Sequence, residues 1–368
     1  MLALLEEVVN IDSGSYDKAG VDEVGERFAR FFEEHGVPVQ TIQNADFGDA
    51  IRAAANSSGG GNRPIVLLGH RDTVFPKGEA ARRPFTIRDG RAYGPGVCDM
   101  KGGLVINAFV LVAFHRFGGA PAPVVALMTS DEEIGAPACQ TLIEETARGA
   151  RAVFNSEPGR PNGDVVTGRK GALFMRLEVF GKAAHSGGNF AEGVSAIGEL
   201  AHKIVKLHAL TDVEAGVTLN VGLVGGGQSV NTIAPLAEAE IDLRFVTHDQ
   251  REAAMERIEA IVAEATTPGA TARLSIKGAF HPLVQDDGSR ALFETYQSAM
   301  AEAGFAVEGQ FAGGSADSGF TASVGCPTIC AVGPVGGKAH SPEEYLEVDS
   351  IVPRAQGLAR AIIRLGGA

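Results

Sequence analysis

Two histidines and a set of acidic residues fall where metal-assisted hydrolysis would need them. His70 and Asp72 follow directly on the short apolar run 64–69. Two residues apart on an extended chain, they face the same way, so the carboxylate can orient or polarise the imidazole; a capped turn is the alternative. Asp99 sits in Gly94-Pro-Gly-Val-Cys-Asp-Met-Lys-Gly-Gly103, a loop dense in Gly and Pro ahead of an apolar stretch. It reads either as a helix cap or as a ligand. Three consecutive acids follow another apolar run in Ser130-Asp-Glu-Glu-Ile-Gly135, and at a buried strand end they repel one another and call for a cation. Neighbours Glu132 and Glu133 point in different directions, which suits one metal ligand and one free general base. Glu157 repeats the placement in Asn155-Ser-Glu-Pro158. In Ala339-His-Ser-Pro-Glu-Glu344, Ser341 as N-cap, Pro342 at the first helical position and Glu344 as capping-box partner predict a helix start with His340 just outside it. Histidine and carboxylate donors converging from several strand ends favour two zinc ions sharing a bridging carboxylate.

The elements that must carry these residues alternate. Helical spacing over 19–35 stops at Gly36; 64–69, 124–128 and 152–154 read as buried strands, and 104–117 and 137–148 as helices. Strands separated by helices predict βαβ units in a mainly parallel α/β sheet. From about Gly171 the texture changes to half-exposed alternation. A strand over 173–180, a helix near 191–208, strands near 217–224 and 236–246, a helix near 249–265 and a strand near 271–277 give the β-α-β-β-α-β order of a ferredoxin-like α+β unit. Residues 281–368 return to the first texture. The expected organisation is a catalytic domain over 1–170 plus 281–368, interrupted by an inserted domain over 171–280.

Composition excludes several classes. With 32 Lys+Arg against 45 Asp+Glu the formal charge is −13, which argues against a nucleic-acid backbone binder and an anionic-membrane anchor. No continuous apolar run reaches the roughly 18 residues of a spanning helix. Glu6 and Glu7 cut the first apolar run short and no basic segment precedes it, so the expectation is a cytoplasmic protein, or a periplasmic one after removal of a signal peptide. Cys98, Cys139, Cys326 and Cys330 show neither zinc-knuckle spacing nor disulfide-scaffold density. A dinucleotide-binding dehydrogenase would carry a glycine fingerprint after its first strand, and none is present.

Gly69-His-Arg-Asp-Thr-Val74, the 94–103 loop, Ser130–Gly135, Asn155–Pro158, Gly181-Lys-Ala-Ala-His-Ser-Gly187 and His340-Ser-Pro-Glu-Glu-Tyr345 resemble, in order and nearly end to end, the M20 metallopeptidases. The most similar branch is that of the carboxypeptidase G2-like glutamate carboxypeptidases. The resemblance implies a dinuclear zinc site (Mn²⁺ or Co²⁺ as alternatives) in a catalytic domain, with an inserted lid that usually forms a homodimer. It makes Asp99 the bridging carboxylate, gives one zinc His70 and Glu157, and gives the other Glu133 and His340. Glu132 becomes the general base and Asp72 the partner of His70. His185 would reach the scissile carbonyl from the lid, often across the dimer, and stabilise the oxyanion. Asn231 and Arg244 would clamp a substrate carboxylate, and 313–319 would form a second loop at the pocket mouth. The implied reaction is removal of a C-terminal amino acid, glutamate first, from a peptide or N-acyl conjugate. Arg160, Arg169 and Lys170 are the candidate cations for an acidic side chain. An aminoacylase or small-conjugate deacylase is the alternative.

Overall fold

The computed structural model describes residues 1–55, 59 and 63–366. They divide into two compact units, Met1–Arg169 with Leu283–Ala368, and Lys170–Pro282.

The first unit is built on an eight-stranded sheet. Its strands run, in spatial order, Val39–Ile42, Ala50–Ala55, Val124–Thr129, Ile65–His70, Ala152–Asn155, Thr328–Cys330, Val165–Arg169 and Gly309–Ala312. The centre is parallel, Ile65–His70 pairing with Val124–Thr129 on one side and Ala152–Asn155 on the other. Every residue of Ile65–His70 and Val124–Thr129 is buried, the pattern expected of strands covered on both faces. The segment Val97–Arg116 is long and apolar enough to cross a bilayer, yet 83% of its most apolar window lies buried; its helix, Gly102–Arg116, is a core element. Helices Asp287–Glu302 and Ile351–Gly366 pack against each other. A smaller sheet joins Gly336–Gly337, Tyr345–Glu347, Arg91–Tyr93 and Thr86–Arg88.

Residues 341–344, expected to open a helix, instead form a turn that runs into the strand Tyr345–Glu347. That strand pairs with Arg91–Tyr93 and with Gly336–Gly337. Ser341 Oγ bonds back to the Lys338 carbonyl at 2.7 Å, and Glu344 is engaged elsewhere, as described below. Tertiary pairing overrides the local capping signal.

The second unit is an antiparallel four-stranded sheet, Thr218–Gly226, Leu236–Phe245, Gly171–Phe180 and Thr271–Phe280 in spatial order. Helices Ala196–His208 and His248–Ala263 share one apolar core with it, which is the ferredoxin-like arrangement. Ser195 caps the first helix by accepting from the Gly198 N–H at 3.0 Å, so it begins at 196 rather than 191. Thr247 and Gln250 form a capping box at the second. The last strand continues past 277 through an irregularity at Ile276 to Gly278.

Candidate metal centre and substrate groups

The parallel strands end together, and their ends bring the acids and histidines onto one another. His70 is the last residue of its strand and is buried. Its Nδ1 lies 2.9 Å from the Asp72 main-chain oxygen and 3.4 Å from Asp72 Oδ1. A carbonyl can only accept, so Nδ1 carries the proton and Nε2 is left as a lone-pair donor, the tautomer a metal requires. Asp72 does more than orient His70. Its carboxylate accepts from Ser15 Oγ at 2.7 Å and from the N–H groups of Glu132 and Glu133 at 3.1 and 3.2 Å. Burial alone would raise its pKa, but His70 and these donors hold it below the ordinary carboxylate value.

Asp99 occupies the turn Val97–Lys101 with non-helical φ/ψ of −111° and 92°. Lys101, not Asp99, stands at the N-cap of the following helix, so the capping alternative is excluded. The two carboxylate oxygens of Asp99 face two histidines: Oδ1 is 3.4 Å from His70 Nε2, and Oδ2 is 3.3 Å from His340 Nε2. Glu157 Oε1 approaches His70 Nε2 to 3.6 Å, and Glu133 Oε2 approaches His340 Nε2 to 3.1 Å. The outcome is two trios, His70–Asp99–Glu157 and Asp99–Glu133–His340, each with its donor atoms within 4.8 Å of one another. Glu132 belongs to neither trio; its Oε2 lies 3.9 Å from His70 Nε2.

The electrostatics are those of acids crowded together out of water. Burial pushes the Glu132 carboxyl well above its ordinary range, and burial with the Asp99 charge lifts Glu157 to about 7. Glu133 is raised for the same two reasons. Burial works against a charged His70, yet Asp72 and Asp99 outweigh it and hold its pKa well up. Asp99 and Glu133 lift His340 to about 10. His70 Nε2, Glu133 Oε1 and Glu157 Oε1 are buried with no hydrogen-bond partner among the described residues. Orphaned donors and clustered acids of this kind are costly unless a cation binds them, so the residues fit a pair of divalent metals.

Three further residues have places here that the sequence reading did not give them. Glu344 is fully buried, and its carboxylate accepts the N–H groups of Gly96, Cys98 and Asp99 at 2.9, 2.8 and 2.9 Å. Ser15 carries no periodic or motif signal. Asp317, in the 313–319 loop, is buried with Oδ1 unpartnered and accepts from Thr129 Oγ1 at 3.1 Å. Of the three candidate cations, Arg160 is exposed and Lys170 begins the second unit. Arg169 is buried at the end of its strand, with Nε on Cys330 Sγ at 3.2 Å and a terminal nitrogen on the Gly314 carbonyl at 3.1 Å. It is close enough to Glu157 and Glu132 for their charges to act on it.

His185, Asn231 and Arg244 belong to the second unit. His185 is exposed, and its Nδ1 accepts from the Gly187 and Gly188 N–H groups, each at 3.1 Å. The proton of the neutral ring is therefore on Nε2, as an oxyanion donor needs. Asn231 is brought beside it, since the Ser186 N–H donates to the Asn231 carbonyl at 3.0 Å and His185 bridges to Thr232. Arg244 is not. It lies near the far end of the strand Leu236–Phe245, paired in register with Ala172, and its guanidinium is held by Asp242 at 2.7 and 3.0 Å. At about 3.3 Å per residue, the strand alone separates Arg244 from the Asn231 loop by roughly 26 Å.

Similarity to known proteins extends across the chain. Residues 66–364 match peptidase family M20/M25/M40. Carboxypeptidase G2 of Pseudomonas sp. (strain RS-16) is 28% identical, with 100% of this chain and 89% of that protein covered. Succinyl-diaminopimelate desuccinylase of Variovorax paradoxus is 29% identical over 99% and 97%. The crystal structure of an M20 family metallo-carboxypeptidase from Sulfolobus solfataricus superposes with a TM-score of 0.81 at 20% identity, covering 100% of this chain and 99% of that one. A mainly parallel sheet ending in two acid-and-histidine trios, in a chain matched over most of its length, makes this protein a hydrolase belonging to peptidase family M20/M25/M40.

Proposed function

We propose that the protein is a dinuclear zinc amide hydrolase that releases a C-terminal amino acid, glutamate by preference, from an N-acyl or peptide conjugate. One observation carries the reading: two trios share Asp99, and a buried carboxylate belonging to neither, Glu132, stands beside them. Two zinc ions held by these residues would supply Lewis-acid polarisation of the scissile carbonyl and a more acidic attacking water. Glu132, its proton affinity raised by burial, takes the proton of that water and returns it to the departing amine. Asp72 fixes the His70 ring and, through the N–H groups of Glu132 and Glu133, the turn that carries base and ligand. His185 offers Nε2–H to the developing oxyanion.

Preference for glutamate is supported by Arg169, a buried guanidinium near the Glu157 trio, and by the likeness to carboxypeptidase G2. Arg244 and Asn231 stand too far apart on one chain to grip a single carboxylate. They can serve one substrate if His185 and Asn231 come from a second copy, and we propose a homodimer formed through the second unit on that ground. The desuccinylase likeness, and a similar match to acetylornithine deacetylase of Edwardsiella ictaluri at 27% identity, favour a second reading as a deacylase of N-acylated diamino acids. A panel of N-acylglutamates, N-succinyl-diaminopimelate, N-acetylornithine and dipeptides separates the two: highest kcat/KM on N-acylglutamates supports the first, and highest on the diamino acids replaces it.

A further inference from the structure

His70 and His340 are held in different ways. The side chain of His70 is 1% exposed at the end of a buried strand, whereas that of His340 is 54% exposed. His340 stands at the third position of a turn closed by the Ser341 N–H on the Lys338 carbonyl at 3.2 Å. Its φ is +63°, and that of Lys338 is +57°. A left-handed third position favours Gly or Asn, and other residues stay there only where the surroundings over-determine the backbone. Ser341 Oγ also bonds the Lys338 carbonyl, but both partners belong to the turn itself. The tip needs a hold from elsewhere in the fold.

Arg83 supplies it. Its Nη1 donates to the Pro342 carbonyl at 2.8 Å, across 259 residues of sequence. Among the described residues it is the one side chain from outside 338–343 that bonds the main chain of that segment. The guanidinium is itself aligned. Its Nε donates to the Glu79 carboxylate, and its central carbon lies over the Phe75 ring, 4.8 Å from the centroid. Glu79 is buried and also accepts Arg82 Nε and Nη2, each at 2.7 Å. The short helix Glu79–Arg82 is anchored in turn, since Asp12 accepts the N–H groups of Gly78 and Ala80 at 2.7 and 2.8 Å. A guanidinium grips Glu79 with one nitrogen and Pro342 with another in one rigid plane, which an ammonium group cannot do.

We propose that Arg83, aligned by Glu79, is a positioning residue for the Glu133–His340 metal. By pinning the tip of the turn that carries His340, it sets how tightly that metal is held and leaves the His70–Glu157 metal unaffected. The assignment rests on the two-metal reading above. In the test, zinc is titrated into chelator-stripped protein against a competing chromophoric chelator, so no turnover is needed. Wild type should show two binding events, and the one that His340→Ala abolishes belongs to His340. Arg83→Ala should weaken that event by about 10- to 100-fold and leave the other within about twofold. Added to His340→Ala, it should weaken the remaining event no further. Two events weakened equally, or neither weakened, overturn the role of Arg83 alone. A single zinc bound per chain would sink the two-metal reading and this assignment with it. Should Arg83→Ala fail to fold, Glu79→Gln keeps an acceptor but drops the charge, and should still weaken the His340 event by about threefold or more. Wild-type affinity in that variant overturns the pair.

Discussion

The Glu344 carboxylate accepts the main-chain N–H of Asp99 at 2.9 Å, across 245 residues of sequence. With the N–H groups of Gly96 and Cys98 on the same carboxylate, it holds the turn that presents the shared ligand. It does so without approaching either trio with its own oxygens.

Glu344→Gln should therefore weaken metal binding although it removes no ligand. The amide leaves one acceptor where the carboxylate served three donors, and its NH₂ opposes a backbone N–H. Loss of support behind a ligand commonly costs about 10- to 100-fold in affinity. Competition with a chromophoric chelator measures it, and wild-type affinity would remove Glu344 from this role.

Glu132→Gln should behave oppositely. Metal content stays at the wild-type level, because Glu132 lies outside both trios, while kcat falls by about 10² to 10⁴. Elemental analysis alongside steady-state kinetics separates the two effects. Wild-type kcat in a fully loaded variant would exclude Glu132 as base.

Metal affinity should climb with pH. In the metal-free protein His340 stays protonated up to about 10 and Glu157 up to about 7, and His70 is also held well above the ordinary histidine value. Cations bind only the deprotonated forms, so loading at neutral pH must expel protons, and lowering the pH favours the protonated apo state. Calorimetric zinc titrations in buffers of different ionisation enthalpy should report proton release and stronger binding at pH 8 than at pH 6. Affinity independent of pH would contradict the assignment of both histidines as ligands.

If His185 acts on the partner's site, mixing two inactive variants should recover activity. In a mixed dimer of Glu132→Gln and His185→Ala chains, one site combines an intact Glu132 with an intact His185 from the other chain. Random pairing predicts recovery of about a quarter of wild-type activity. No recovery after chain exchange would place His185 and Glu132 in one chain's site.

Much of this centre was legible in sequence because ligands at the ends of parallel strands leave a local signature, an apolar run followed by an acid or a histidine. His70, Glu133 and Glu157 carry that signature, and the β-α-β-β-α-β pattern of the second unit was equally plain. Glu344 was not legible in its role. Its spacing from Ser341 mimics a capping box, and only the pairing of Tyr345–Glu347 with Arg91–Tyr93 turns the segment into a strand and its carboxylate toward the 96–99 backbone. Ser15 shows the same limit, since one hydroxyl bonded to Asp72 leaves no pattern. Asn231 and Arg244 are a different case: they lie thirteen positions apart in sequence, and an extended strand converts that spacing into distance within one chain.

Titrating chelator-stripped protein with zinc while following hydrolysis of an N-acylglutamate tests the central claim most directly. Activity should be absent at the start and reach its plateau at two zinc ions per chain, with Asp99→Ala failing to bind both and remaining inactive. Activity in the stripped protein, or full activity with Asp99 removed, would contradict a metal pair built on a shared carboxylate.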